Sequence, residues 1–270
     1  MKHKIASAVF VAASLTAASA FAMMTPGSTS AGVTTYGSGV GSFVGSDFVV
    51  GPTTPGKWGP PTFGNLATVT YSYMADGVSC AAEIAGCTIT SIFTGMGAIG
   101  VTAIDAAFAS WSAVVSGLTF VLVADNGAAF DAATTSGAIR VGMHSSFASG
   151  VLAHAFYPPV NGVSAAGDMH FNSSFCWESA FDGTADNCYD IGQVAKHEIG
   201  HSIGLDHTGV PLSLMNPTYT EAFVGLQADD IAGGCSIYGC STVVPEPGTL
   251  FLAGLGLLGM MGLRRSRKSA

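Results

Sequence analysis

His197-Glu198-Ile199-Gly200-His201 and the His207 that follows are the residues whose types and spacing point most directly to chemistry. On a helix, positions four apart lie one above the other, so His197 and His201 can aim two imidazoles at one point. A catalytic zinc site usually takes three protein ligands and keeps one position open. Gly204, without a Cβ, tolerates the left-handed conformation that stops a helix, so the chain can turn back there and bring His207 in as the third ligand. Glu198 stands beside the first histidine, where its carboxylate can take a proton from a water polarised by the metal. This constellation predicts metal-assisted hydrolysis, with Glu198 as the catalytic base.

The elements needed to position these groups can be read around them. Asp190 is a suitable N-cap for a helix through both ligands to Leu205, with Gln193 three residues on. Ala67–Met74 alternates as a strand does, Leu118–Val123 reads as a buried strand, and Ala138–His144 as another. Ile104, Phe108, Trp111 and Val115 mark one face of a helix over Val101–Val115. Leu226–Tyr238 reads as a closing helix with Asp229 and Asp230 in its first turn, where the helix dipole favours acids. Strand, helix and strands followed by an active-site helix predict one α+β domain built on a mixed sheet.

The ligand pattern resembles that of the metzincin zinc endopeptidases. Leu214-Met215-Asn216-Pro217-Thr218-Tyr219 resembles the Met-turn and specificity segment of their matrixin branch. The resemblance implies a twisted mixed sheet, an active-site helix, a Met-turn at Met215 beneath the zinc, and a C-terminal helix. It also implies that Pro217 and Tyr219 wall the specificity pocket, and that Leu152 and Ala153 on an edge strand bind extended polypeptide substrate through their main chain. In matrixins His144, His154 and His170 fall where a structural zinc is bound. The family's fourth ligand, an Asp two residues after the first histidine, is replaced here by Ser146. Asn172 and Phe175 stand at two of the family's calcium positions, which leaves Asp168 as a calcium candidate. No cysteine precedes Cys80, so the family's propeptide-cysteine latency device is absent.

The two ends read as export signals. Lys2 and Lys4, an apolar run and Ala20-Phe21-Ala22 predict a signal peptide over 1–22 with cleavage after Ala22. Residues 23–64, rich in Gly, Ser, Thr and Pro, read as a flexible leader. The catalytic domain is expected over 65–240. Residues 241–270 carry Val244-Pro245-Glu246-Pro247, an apolar run and Arg264-Arg265-Ser266-Arg267-Lys268. This tail resembles the PEP-CTERM sorting signal of Gram-negative bacteria. It implies processing by an exosortase, transient association with the inner membrane, and delivery to the outer surface or extracellular matrix.

Between residues 23 and 242 there are only three basic residues, Lys57, Arg140 and Lys196, against sixteen acids, a formal balance of −13. So acidic a surface argues against nucleic acid or anionic lipid as a partner of this span. The six cysteines, in an exported chain, are expected as disulfides. Sequence proximity favours Cys80 with Cys87, Cys176 with Cys188 and Cys235 with Cys240 among the fifteen possible pairings. A monomer is expected. A rival reading from another class is a matrix or adhesion protein that binds zinc without cutting or processes only itself. The presence of Glu198, which metal binding alone does not require, counts against it.

Overall fold

A computed structural model of the protein describes residues 21–28, 48–51, 56–158, 164–179 and 188–240. Most of the expected signal peptide and nearly all of the sorting tail lie outside them. The chain divides into two units, Met1–Gly239 and Cys240–Ala270, and the elements below belong to the first.

Those elements are β1 (Phe21–Ser28), β2 (Val49–Val50), β3 (Ala67–Tyr73), α1 (Ile92–Val114), β4 (Leu118–Leu122), β5 (Ile139–His144), β6 (Ala153–Phe156) and β7 (Met169–Asn172). They continue with β8 (Cys176–Glu178), β9 (Cys188–Asp190), α2 (Ile191–Ser202), β10 (Leu205–Asp206), β11 (Thr218–Thr220) and α3 (Ala228–Tyr238). Seven strands form one sheet in the order β11-β1-β6-β7-β5-β3-β4. β3 pairs in parallel with both β4 and β5, β5 in parallel with β7, and β6 antiparallel to β7 and to β1. The mixed sheet with α1 and α2 packed together is the α+β architecture expected from the sequence.

Side chains alternate across β3 because successive residues point to opposite faces, and Val69 and Tyr71 therefore enter the core. Tyr71 stacks on Phe108 of α1 with ring centroids 4.0 Å apart. Trp111, fully buried, donates its indole N–H to the Lys196 carbonyl at 2.9 Å, tying α1 to α2. α1 begins nine residues before the expected Val101. Ser91 caps its start by accepting from the Thr94 N–H, and Gly97 at φ 68° interrupts it. Glycines at 95, 97 and 100 hid those first nine residues from a reading based on apolar spacing.

Two expectations are corrected here. β4 is not buried: it is the sheet's outer strand, with Val121 and Leu122 exposed, because no strand among the described residues pairs beyond it. Parts of the stretch expected as a flexible leader are folded into the body. β1 joins the main sheet and β2 pairs with β10. Lys57 is buried, with its ammonium donating to the Trp58 and Pro60 carbonyls at 2.8 and 2.7 Å.

Arg140, the only basic residue on β5, is fully buried and donates from Nε and Nη2 to both oxygens of Asp125 at 2.8 and 2.9 Å. Its Nη2 also donates to the Ala128 carbonyl at 2.7 Å. Removing one partner of such a pair strands the other charge in the interior, which costs about 3–5 kcal/mol. Arg140→Met is expected to lower the free energy of unfolding measured by denaturant titration by that amount, and an unchanged free energy would contradict this account of the pair. Cys80–Cys87 and Cys176–Cys188 are disulfides as expected, and no described cysteine is free.

Candidate metal centre

Asp190 caps α2 by accepting from the Gly192 and Gln193 N–H groups at 2.7 and 3.2 Å. Gln193 does not complete a capping box with it. Its amide instead bridges forward, accepting from Gly225 N–H at 2.8 Å and donating to the Phe223 carbonyl at 3.3 Å. The helix ends at Ser202 and the chain reverses at Gly204, where φ is 110°. A Cβ there would lie 2.2 Å from the Gly56 carbonyl oxygen, so both conformation and space require glycine. The C-terminal end of α2 is held from outside by Trp58, whose Nε1–H donates to the Ser202 carbonyl, and by Tyr238, whose hydroxyl donates to the Ile203 carbonyl.

That turn brings His197, His201 and His207 together, as expected. Their Nε2 atoms are 3.0 Å apart for His197 and His201, and 3.2 Å for each with His207. His197 Nδ1 lies 2.6 Å from the Leu214 carbonyl and His201 Nδ1 lies 2.8 Å from the Leu205 carbonyl. A carbonyl only accepts, so the proton of each ring sits on Nδ1 and each Nε2 presents a lone pair. Lone pairs that close repel one another, and a shared cation relieves the repulsion. A tetrahedral zinc about 2.0–2.1 Å from three nitrogens would hold them roughly 3.3 Å apart, close to what is seen. Burial keeps both rings neutral: His201 is lowered to about 3, first by burial and then by His207, and His197 is pushed well below its usual value by burial and its two neighbours.

Glu198 is fully buried, and among the described residues neither carboxylate oxygen has a hydrogen-bond partner. Burial raises its pKa well above the usual carboxylate range. The Met24 amide opposes that shift without making a hydrogen bond of good geometry. A fully buried acid that its surroundings do not satisfy is the kind of group that can hold and pass a proton. Met215 packs against α2 at Gly200, the residue before His201. A Cβ on Gly200 would meet its Sδ at 2.3 Å, so α2 and the Met-turn touch with no room for a side chain between them.

Asp230, noted in the sequence only as a helix-start acid, organises that turn. It accepts from Ser213 Oγ and Met215 N–H through Oδ1, and from Leu214 and Gln227 N–H through Oδ2. The Leu214 carbonyl so fixed is the one that orients His197. Tyr219 is buried, and its hydroxyl donates to Glu221 at 2.8 Å and accepts from Asp190 N–H at 3.0 Å. Its ring therefore ties β11 to the start of α2. Leu152 and Ala153 border β1, which covers the outer side of β6, so the expected edge strand is not an edge in this chain.

His144, His154 and His170 also converge, and the sequence reading missed their partner. Glu83 Oε1 lies 3.2 Å from His144 Nε2 and 3.1 Å from His154 Nε2, and Glu83 Oε2 lies 2.7 Å from His170 Nδ1. Burial would raise the Glu83 pKa, but the three imidazoles outweigh it and hold the carboxylate well below its usual range. His170 is lowered to about 4, chiefly by burial. His144 Nε2 has no aligned hydrogen bond despite its short distance to Glu83, as expected when two ligands point at a common ion rather than at each other. Ser146, where the family has its Asp, faces His144 Nδ1 only through its main-chain N–H. The Cys80–Cys87 disulfide closing Glu83's loop was the available signal. Asp168 lies in neither cluster: it is buried, with Oδ1 accepting from the Arg140 N–H at 2.7 Å.

The comparisons with known proteins agree with this geometry. The matrixin family model matches residues 97–239, and the PEP-CTERM protein-sorting motif matches residues 243–268. The chain belongs to the matrixin family, and it carries a PEP-CTERM sorting motif at its end. It is 42% identical to macrophage metalloelastase of Rattus norvegicus over 100 residues, which are 36% of this chain and 20% of the relative. It is 37% identical to karilysin of Tannerella forsythia over 102 residues, 38% of this chain and 21% of the relative. It is 38% identical to interstitial collagenase of Bos taurus over 146 residues, 54% of this chain and 29% of the relative. The matches therefore span about a fifth to under a third of these relatives' lengths.

Proposed function

We propose that the protein is an exported zinc-dependent endopeptidase that hydrolyses internal bonds of extended polypeptides. The observation that carries this reading is the triangle of His197, His201 and His207 nitrogens beside the buried, unpartnered Glu198. His197, His201 and His207 would hold the catalytic zinc. When bound, it supplies a Lewis acid that polarises the scissile carbonyl and brings the pKa of water to about 7. Glu198 takes the proton of the attacking water on a carboxylate oxygen and delivers it to the nitrogen of the leaving amine. The Leu214 and Leu205 carbonyls keep the two helical imidazoles in the ligating tautomer. Once β1 is displaced, extended substrate pairs with the main chain of Leu152 and Ala153, with Pro217 and Tyr219 walling the pocket beside it. Incubation with a strong zinc chelator is expected to abolish cleavage of casein or a quenched peptide, and added zinc to restore it. Activity unaffected by complete metal removal would refute the reading.

Glu83, His144, His154 and His170 hold a second, structural zinc in this proposal. Three neutral imidazoles and one carboxylate suit zinc, and the set of ligating atoms is compact and largely buried. Glu83→Gln is expected to lower the zinc content of the purified protein from two to one per chain while the catalytic zinc stays. Two zincs retained in this variant would remove Glu83 from the ligand set. The signal peptide leaves after Ala22, and the PEP-CTERM segment is processed by an exosortase after transient contact with the inner membrane. The mature protein then reaches the outer surface or matrix of a Gram-negative cell as a monomer.

A further inference from the structure

β1 lies against the centre in a way that a loose leader has no reason to adopt. It runs antiparallel to β6, with Phe21 opposite Phe156, Ala22 opposite Ala155, Met23 opposite His154 and Met24 opposite Ala153. On its other side it runs parallel to β11, with Thr25 opposite Thr218 and Ser28 opposite Thr220. The Leu152 N–H donates to the Met24 carbonyl at 2.9 Å. These are the main-chain positions that an extended peptide would use, and β1 packs against α2, which carries His197 and His201. Met24 is 2% exposed.

We propose that β1 is an intramolecular pseudosubstrate: Phe21–Ser28 fills the peptide slot between β6 and β11, anchored by Met24, and keeps polypeptides from Glu198 until it is withdrawn. The proposal rests on reading the centre as a peptidase site. The restraint comes from strand pairing and a buried side chain, and it needs no cysteine. Strand addition to a sheet edge satisfies main-chain donors and acceptors on both sides, which is how such slots gain affinity. Because the occupant is tethered, its effective concentration at the slot is of millimolar order for a short connection. An export cut after Ala22 leaves Met23, Met24 and the pairing with β11 in place.

The decisive experiment uses full chains in which Glu198→Gln prevents turnover. A fluorescein-labelled synthetic peptide of residues 21–28 is titrated onto that chain and onto chains also carrying Met24→Asp or Met24→Gly. Both Met24 variants are expected to bind the peptide at least tenfold more tightly, because their own strand no longer competes. Equal affinities, or no binding to any chain, would overturn the proposal. In chains that retain Glu198, the same Met24 substitutions are expected to raise kcat/KM on a reporter peptide at least tenfold. Equal, measurable rates would overturn the pseudosubstrate and leave the peptidase standing. Absence of cleavage in every chain would instead sink the peptidase reading, with the binding titration still deciding whether β1 fills the slot.

Discussion

Glu198→Gln is expected to lower kcat/KM by about a thousandfold while zinc content stays unchanged, since general acid–base help at this kind of step is worth roughly 10²–10⁴-fold. Glutamine keeps the shape and volume of the side chain but cannot accept and return a proton. The same substitution has a stability signature of opposite sign. Burial raises the Glu198 pKa above its unfolded value, so the folded, metal-free protein binds a proton that the unfolded chain has released. The stability this carboxyl contributes is complete below about pH 4.5 and is lost as pH rises through the raised pKa. Glutamine has nothing to ionise. Metal-free Glu198→Gln is therefore expected to melt several degrees higher than metal-free wild type at pH 8, with the gap closing toward pH 4.5. A variant that loses activity together with stability at every pH would point to a packing defect, and the base assignment would fail.

The second large effect is expected from His207→Ala. His207 lies beyond the turn at Gly204 and is only partly buried, whereas His197 and His201 are part of a fully buried helix face. Its loss should spare the fold yet leave two imidazoles, one short of the usual three ligands. The expected result is zinc affinity weakened by more than about a hundredfold, activity below a thousandth of wild type, and a metal-free melting temperature within about 3 °C of the parent. Retained zinc affinity would show that His207 is not the third ligand, and the triangle would lose its meaning.

The catalytic half of the site was legible because it is local. His197 and His201 are one helical turn apart, and Gly204 and His207 follow within six residues, so helix periodicity and one turn suffice to bring the ligands together. The second cluster was legible only in part. Its histidines sit on β5, β6 and β7, whose neighbouring pairings a strand pattern can suggest. Glu83 joins them from a loop 61 residues before His144, and no periodicity links an acid in such a loop to a sheet. β1 was hidden for a related reason. Met23-Met24-Thr25-Pro26-Gly27-Ser28 carries the marks of a turn, and what makes it a strand is the unpaired flank of β6 and the facing β11, both more than 120 residues away. β4 misled in the other direction: an apolar run cannot say whether a neighbour covers it, and at the outer position of the sheet no described strand does.

Zinc-edge X-ray absorption on protein carrying Glu83→Ala and His154→Ala, which leaves one site intact, tests the centre most directly. The account predicts one tightly held zinc per chain, with three imidazole nitrogens at about 2.0–2.1 Å and a light-atom ligand in the open position. Zinc bound through sulfur or carboxylate oxygens, or a chain that holds no zinc at all, would contradict it.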